Sequence, residues 1–268
     1  MKPLMLKIPF ALLTVALLVS GCSTTRISSF KMDVSESPEV YGISRAQAPR
    51  SHVIRLHGSF KLDKKEDISV SGHYGAWDED SLQQRKQYVA DGIYRMGGLE
   101  GTGGFEWFKK FDHAVFGAGF GINDGFFHHL TYGFNFEALE FGVFLGLFHQ
   151  YTHIAYSGSK CSGISSCDSE DWKDFSDSMD DVMTDLFFGL YIGVFIEKDF
   201  FLNYSLSTYD PSVDTGSSSV STPMIVTNYL TLGYNINKYF SVTGGVICSI
   251  VDKNLHWSAS VGAGFTPF

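Results

Sequence analysis

The last apolar stretch of the chain, LHWSASVGAGF at 255–265, alternates strictly between two kinds of side chain. Leu255, Trp257 and Val261 belong to an apolar row that also holds two alanines and a phenylalanine, and every residue between them is His, Ser or Gly. Side chains of a β-strand point alternately to opposite faces. The stretch therefore predicts a strand with one face in an apolar medium and the other in a polar one.

The same alternation recurs through most of the chain after residue 52. It is found at 53–62, 113–122, 126–136, 141–155, 186–196, 200–207, 224–236, 240–250 and 255–265, with a weaker instance at 102–109. These segments predict ten strands. Most of them reach the roughly 9 to 11 residues that a tilted strand needs to cross a bilayer, whereas strands of soluble proteins usually have about five or six.

The connections alternate between short and long. Tight turns are expected at 109–112, 137–140, 197–199 and 237–238, and long loops at 63–98, 157–183 and 210–223. Short turns on one rim and long loops on the other are typical of outer-membrane barrels. We therefore predict an all-β fold, an antiparallel up-and-down transmembrane β-barrel of about ten strands (range 8–12) over 52–268, with both chain ends at the short-turn rim. The stretch ISVSGHYGAW at 68–77 leaves open a further hairpin within 63–98.

The polar faces of the predicted strands carry mainly Ser, Thr, Asn, Tyr and Gly rather than Lys and Glu. Small uncharged side chains suit the crowded interior of a narrow barrel better than a solvated outer surface. The apolar faces are then expected to contact lipid, and the filled lumen is expected to conduct little. The alternative is a periplasmic ligand-binding lipoprotein, in which Ile54, Phe60 and Leu186 would point inward around an apolar cavity.

The N-terminus has the features of an export signal. Lys2 and Lys7 precede an apolar run at 8–19 and small residues, which predicts a signal peptide over 1–21. The sequence VSGC, ending at Cys22, resembles the lipobox of bacterial lipoproteins. The resemblance implies a diacylglyceryl thioether and an N-acyl chain such as palmitate on Cys22, which becomes the first mature residue.

Ser23 follows the cysteine where lipoproteins retained in the inner membrane usually have Asp. The resemblance thus implies recognition by the lipoprotein sorting machinery and delivery to the cell outer membrane of a Gram-negative type envelope. Residues 23–51 are rich in Ser and Pro and lack a helical or strand period. We therefore expect 22–51 to be a lipidated N-terminus and flexible tether.

The chain ends in Phe268, and its last strand resembles the terminal strand of outer-membrane proteins. That resemblance implies the barrel assembly machinery as a partner, together with outer-membrane lipid and lipopolysaccharide. Phe268 is out of phase with the apolar row of 255–265, and Pro267 intervenes. Without Lys2 and Lys7 the chain has 18 basic and 29 acidic residues, a formal charge of −11, which makes nucleic acid an improbable partner.

Three cysteines remain after Cys22. Cys161 and Cys167 flank five residues of a predicted loop, and export to an oxidising compartment favours a disulfide between them. Cys248 lies within a predicted strand, where it is expected to be a small buried apolar residue. The spacing does not match a zinc site.

Two patterns could indicate a hydrolase, which is the other alternative. His256 and Ser258 resemble the H-x-S pair of outer-membrane lipid A deacylases, but no acidic residue follows them. Asp180, Asp181 and Asp185, with His256 near the same rim, are weakly similar to the water-activating groups of omptin proteases, although no omptin motif accompanies them. We assign no catalytic residue and expect a non-enzymatic protein.

Metal sites are not predicted, and no cofactor is expected. The stretch CDSEDWKDFSDSMDD at 167–181 is acidic but lacks the Gly and final Glu of an EF-hand loop. His149 and His153 would lie roughly 13 Å apart on a strand, and the adjacent His128 and His129 would point to opposite faces. The sequence thus predicts a lipid-anchored outer-membrane barrel with a structural or surface-interaction role through its long loops.

Overall fold

The computed structural model describes residues 24–42, 52–77, 85–98, 100–136, 138–161, 172–196, 199–214 and 219–267. The strands are β1 (Thr24–Asp33), β2 (His52–Leu62), β3 (Glu66–Trp77), β4 (Arg85–Met96), β5 (Glu100–Lys110), β6 (Ala114–Asn123), β7 (Gly125–Asn135), β8 (Leu139–Cys161), β9 (Trp172–Phe195), β10 (Phe200–Tyr209), β11 (Ser212–Asp214), β12 (Ser219–Ser221), β13 (Ile225–Asn235), β14 (Phe240–Val251) and β15 (Asn254–Phe265). In the described part of the chain, no helix is long and apolar enough to span a membrane.

Ten of these strands close into an antiparallel barrel, which confirms the predicted fold class. The order around the barrel is β2, β5, β6, β7, β8, β9, β10, β13, β14 and β15. The seam is the antiparallel pairing of the last strand with the first, from Ala259 opposite Leu62 to Phe265 opposite Leu56. Because every barrel strand has a partner on both sides, the barrel has no open edge.

Large apolar side chains cover the outside of the barrel. Phe60, Leu186 and Trp257 are 63%, 55% and 60% exposed, and each belongs to the apolar row of its strand. The row continues on every barrel strand, for example at Phe105, Phe120, Leu130, Leu145, Phe200, Leu232, Val246 and Val261. A soluble protein would bury this surface, so it is the surface of a barrel immersed in lipid. The outward direction of Phe60 and Leu186 contradicts the alternative with an apolar internal cavity.

The opposite faces of the strands fill the lumen. Large rings occupy it, among them Phe108, Phe127, Phe148, Phe187, Tyr191, Phe201 and Tyr229. Small residues on neighbouring strands make space for them, since a Cβ on Gly119 would overlap the His129 ring and one on Gly233 would overlap the Phe201 ring. The predicted Ser, Thr and Asn lining is also present. Buried charged residues of the described barrel strands join it, namely Arg55, Lys61, Glu106, Lys110, Glu140 and Asp185.

The two rims differ as predicted. Tight turns join β5 to β6, β7 to β8, β9 to β10 and β13 to β14 at one rim, which we call the short-turn rim. At the other, the long-loop rim, β8 and β9 extend far beyond the barrel because they have 23 and 24 residues, whereas the other barrel strands have 10 to 12. From Gln150, the last residue of β8 paired with β7, to Cys161 the extension covers about 36 Å at about 3.3 Å per residue.

A second group of strands caps the barrel at the long-loop rim. β1 pairs with the extension of β8, and the sheet continues through β4, β3, β12 and β11. We call this part the cap sheet. The hairpin suspected within 63–98 is therefore real, as β3 and β4, but it joins the cap sheet and does not enlarge the barrel to twelve strands.

The cap sheet packs its apolar face over the mouth of the barrel. Ile27, Phe30 and Met32 of β1 belong to the same buried cluster as Ile225 and Val251 at the barrel rim. That cluster continues downward to Phe148 and Phe187 in the lumen. Cap and barrel therefore share one core, and the long-loop mouth is covered by protein.

The N-terminal end of the described chain does not lie at the short-turn rim, where the strand count predicted it. Thr24 pairs with Cys161 at the far end of the β8 extension, on the long-loop side. Only the C-terminal end is at the short-turn rim, where Thr266 N donates to Tyr239 O over 2.8 Å. The predicted tether is also partly ordered: Thr24–Asp33 form β1, because the Ser-rich segment can pair with two strand edges of the cap sheet.

Candidate functional site

Residues 34–42 cross the interior of the barrel from the cap towards the short-turn rim, and we call them the luminal segment. They form no strand, yet Val34, Ser35, Ser37 and Val40 are buried. At the entry, Gln150 Nε2 donates to Asp33 O over 3.2 Å. Because the lumen is polar, an irregular backbone is tolerated there through hydrogen bonds to the barrel wall.

Hydroxyl groups of the wall hold the first half of the luminal segment. Tyr209 Oη donates to Ser35 O over 2.7 Å, and Ser37 Oγ lies 2.6 Å from Ser207 Oγ. Ser37 N donates to Thr227 Oγ1 over 3.1 Å. Tyr229 Oη also donates to Ser37 O. These contacts satisfy a buried backbone that has no strand partner.

Glu36 is the buried charge of the luminal segment. Its Oε2 lies 2.8 Å from Lys61 Nζ of β2, and its Oε1 accepts from Ser258 Oγ of β15 over 2.9 Å. Asn123 of β6 donates to Glu36 O over 3.2 Å and accepts from Lys61 Nζ over 3.0 Å. One glutamate therefore connects the luminal segment to three barrel strands.

A histidine and further carboxylates lie beside Glu36 at the long-loop mouth. His256 Nε2 is 2.5 Å from Asp63 Oδ2, and His256 Nδ1 is 3.2 Å from Glu66 Oε2. The ligand atoms of Glu36, Asp63 and His256 all lie within 4.8 Å of one another. Glu36 and His256 are almost fully buried, whereas Glu66 is half exposed. We call Glu36, Asp63 and His256 the mouth cluster.

The second half of the luminal segment is held by a different set of contacts. Thr231 Oγ1 donates to Glu39 Oε1 over 3.0 Å. The Arg55 guanidinium carbon lies 4.5 Å from the centre of the Tyr41 ring, a cation–π contact. Gly42 lies against Tyr191, and a Cβ at Gly42 would overlap that ring.

Below Tyr41 lies a polar layer of the lumen without close pairing. Glu106 Oε2 is 3.8 Å from His57 Nδ1, and Glu106 Oε1 is 4.0 Å from His129 Nε2. These distances exceed those of hydrogen bonds. Both Glu106 oxygens and both His129 nitrogens are buried without a hydrogen-bond partner among the described residues.

The outer side of the cap sheet contains a cleft of about 580 Å³. Serine hydroxyls line it at Ser29, Ser69, Ser71 and Ser157, with Lys31 and Asp91. Next to it a ladder of charges crosses three strands: Lys31 Nζ donates to Asp67 Oδ2 over 2.7 Å, and Arg95 Nε lies 3.4 Å from Asp67 Oδ1. The hydrogen bond from Lys31 lowers the pKa of Asp67, although Asp67 is exposed to solvent.

The structure does not assemble the hydrolase that the sequence left open. Ser258 donates to Glu36, and both ring nitrogens of His256 face carboxylates, so the serine and histidine do not form a dyad. Asp180 pairs with the exposed His153 at 2.7 Å. Asp185, in contrast, is buried among lumen residues. The three groups needed for an omptin-like site therefore do not converge.

The remaining predicted sites have mixed outcomes. His128 is exposed and His129 is buried, which confirms that they point to opposite faces. Cys248 is a free thiol, but it is only partly buried on the outward face. Cys161 is disulfide-bonded, and its predicted partner Cys167 lies outside the described residues, as do Cys22 and the first part of the acidic stretch at 167–181.

Fold and site together define the class: a closed ten-strand barrel with a lipid-facing surface, a cap sheet and an internal N-terminal segment. No family model matches the sequence, and no curated protein does. Among solved structures, the chain is similar to the Pseudomonas putida toluene transporter TodX, with 8% identity, a TM-score of 0.29, and 82% of this chain and 90% of that chain covered. A TodX monoaromatic hydrocarbon channel with the deltaS2 mutation matches with 7% identity, a TM-score of 0.28 and the same coverage. Likeness at this level does not establish a shared activity.

Proposed function

We propose that this protein is a non-enzymatic outer-membrane barrel that presents its cap sheet to partners outside the cell. The apolar belt around a polar, filled lumen is the observation that carries the proposal. Lipid and lipopolysaccharide cover the belt. His128 and His149 face outward near the long-loop rim, with ring centres 5.5 Å apart, at the level where lipid headgroups meet water.

The filled lumen favours an interaction role over passive diffusion. The luminal segment occupies the barrel axis, and the cap sheet covers the long-loop mouth. A solute that crosses the barrel has to displace buried, hydrogen-bonded backbone. We therefore expect the lumen of the protein to be closed to the diffusion of solutes.

The cap sheet is the surface best suited to recognition. Its cleft combines serine hydroxyls with one basic and two acidic groups, Lys31, Asp91 and Asp252. Such a lining recognises polar partners through hydrogen bonds. The cap sheet holds it on the long-loop side of the barrel, since β8 and β9 extend beyond the other barrel strands.

Lipidation of Cys22, sorting to the outer membrane and insertion by the barrel assembly machinery remain part of the proposal, supported by the lipobox-like sequence and the final strand. The position of Thr24 beside Cys161 adds a constraint. If the long-loop rim faces outward, the start of β1 is on the outer side of the membrane.

The test is gel mobility of the outer-membrane fraction, with boiled and unboiled samples of the wild type and of Cys22→Ala. We expect a heat-dependent shift and membrane retention in both, because the belt alone holds the barrel in lipid. Release of Cys22→Ala as a soluble protein without a shift would overturn the proposal. Metabolic labelling with palmitate tests the lipid separately, and absence of label at Cys22 would remove only the anchor.

A further inference from the structure

The mouth cluster has the donor set and the charge of a metal site. One imidazole and two carboxylates, from His256, Asp63 and Glu36, have ligand atoms within 4.8 Å of one another. Mixed nitrogen and oxygen donors are the ligands of Zn²⁺ and related divalent ions. The geometry points to a binding site for one such ion, which links the luminal segment to the barrel wall.

The surroundings of His256 support this assignment. Its Nδ1 faces Glu66 Oε2 at 3.2 Å, so a proton on Nδ1 is held by that carboxylate. The other nitrogen, Nε2, shares a proton with Asp63 Oδ2 at 2.5 Å. A metal ion that displaces this proton gains the Nε2 lone pair and the Asp63 oxygen as ligands. A carboxylate on the far nitrogen of a ligating histidine is the usual outer contact of metal sites, because it fixes the tautomer and the ring orientation.

Glu36 has a matching outer contact. Its Oε1 accepts from Ser258 Oγ. Its Oε2 is buried without a hydrogen bond of regular geometry, beside the Lys61 ammonium. Glu36 is thus oriented towards the cluster from the luminal segment, while Asp63 follows β2 and His256 belongs to β15.

Charge balance also favours a cation. Four carboxylates surround this point, Glu36, Asp63, Glu66 and Glu100, and Lys61 is the ammonium among them. Even when the imidazole is counted as a cation, the group has two more negative than positive charges. Uncompensated buried charge is costly, and one divalent ion removes most of the excess.

Binding is tested on the full-length barrel in detergent after treatment with a chelator, using Co²⁺ and Zn²⁺ as probes. We expect one equivalent of Co²⁺ with visible absorption, displaced by Zn²⁺. His256→Gln and Glu36→Gln should abolish this binding, and Glu66→Gln should weaken it by about 10 to 100-fold. His153→Asn is the matched control, since His153 forms an exposed pair with Asp180 at 2.7 Å, and it should bind like the wild type.

Binding that persists in His256→Gln would overturn the inference, as would no tight binding by the wild type. A second measurement needs no variant: X-ray absorption of the Zn²⁺-loaded wild type should report one imidazole among oxygen ligands. Two or more imidazoles would assign the ion to the exposed pair His128 and His149 instead. Neither result bears on the proposed function of the barrel, which the gel-mobility experiment tests separately.

Discussion

Lys61 of the barrel wall and Glu36 of the luminal segment form a buried ion pair, with Nζ 2.8 Å from Oε2 and both side chains about 95% covered. Removal of one partner leaves the other charge buried and uncompensated. We predict that Lys61→Met costs about 3–5 kcal/mol of unfolding free energy. Urea unfolding in detergent with chelator present measures this value.

The double variant Lys61→Met, Glu36→Gln is the control for that measurement. It removes both charges, so its cost should be clearly smaller than the sum of the two single changes. Equal or larger cost would show that the pair is not coupled. Ser258 keeps an acceptor in the double variant, because a glutamine oxygen can still receive its hydrogen bond.

Gly42 is the point where the luminal segment passes closest to the wall. A Cβ there would overlap the Tyr191 ring, so we predict that Gly42→Val unseats this end of the segment and lowers the midpoint of thermal unfolding. Adding Tyr191→Ala to the Gly42→Val variant should restore part of the lost unfolding temperature, because it removes the ring that the valine would overlap. The same midpoint in Gly42→Val and in the wild type would contradict the packing described here.

The luminal segment should determine whether the barrel conducts. We predict little conductance for the wild type in planar bilayers, and measurable channels when residues 34–42 are replaced by a Gly-Ser sequence of equal length. Ser37→Ala is the control, since it removes one side-chain contact, that of Ser37 Oγ with Ser207 Oγ at 2.6 Å, and leaves the segment in place. Similar conductance of the wild type and the replaced segment would show that the segment does not close the lumen.

The two ends of the described chain should face opposite sides of the membrane. A peptide tag inserted before Thr24 is expected to bind antibody on intact cells, because β1 begins at the tip of the cap sheet. A tag after Phe268 should bind only after the outer membrane is permeabilised, because Thr266 lies at the short-turn rim. Reversed accessibility of the two tags would show that the barrel has the opposite orientation in the membrane.

Acid should loosen the charge ladder of the cap sheet. The pKa of Asp67 is lowered in the folded protein from its ordinary value of 3.8, first by the hydrogen bond from Lys31. A lowered folded pKa means that the contribution is fully present above the unfolded value and is lost as pH falls through the folded one. The difference in thermal midpoint between the wild type and Asp67→Asn should therefore be constant above about pH 5 and vanish by about pH 2. A difference that stays constant down to the lowest pH would show that ionised Asp67 does not stabilise the folded protein.

The barrel could be predicted because the alternation of apolar and polar side chains that produces it lies within each strand. Alternation at 255–265 or 113–122 reports directly which medium each face meets, so the strands, their outward rows and the short turns could be read from neighbouring residues. The hairpin of β3 and β4 was visible for the same reason. Its place in the cap sheet was not, since alternation does not say which strand edge a hairpin joins.

The contacts of the luminal segment join residues that are far apart in the sequence, and no local pattern predicts such pairs. Glu36 and Ser258 are 222 positions apart, and Ser37 is 190 positions from Thr227. Residues 34–42 have no period because their path is set by these side chains and not by a strand or helix ladder. One local signal was available: Arg55 and Lys61 lie on the lumen-facing side of β2, and charges in a closed lumen require partners.

The luminal segment also constrains the order of assembly. The seam between β15 and β2 closes the cylinder, and the finished lumen is crowded with rings, so a chain end with a folded strand such as β1 attached has no route through it afterwards. The wall must therefore wrap around a segment already in position. We therefore expect residues 34–42 to be in place inside the barrel before the last strand joins the first.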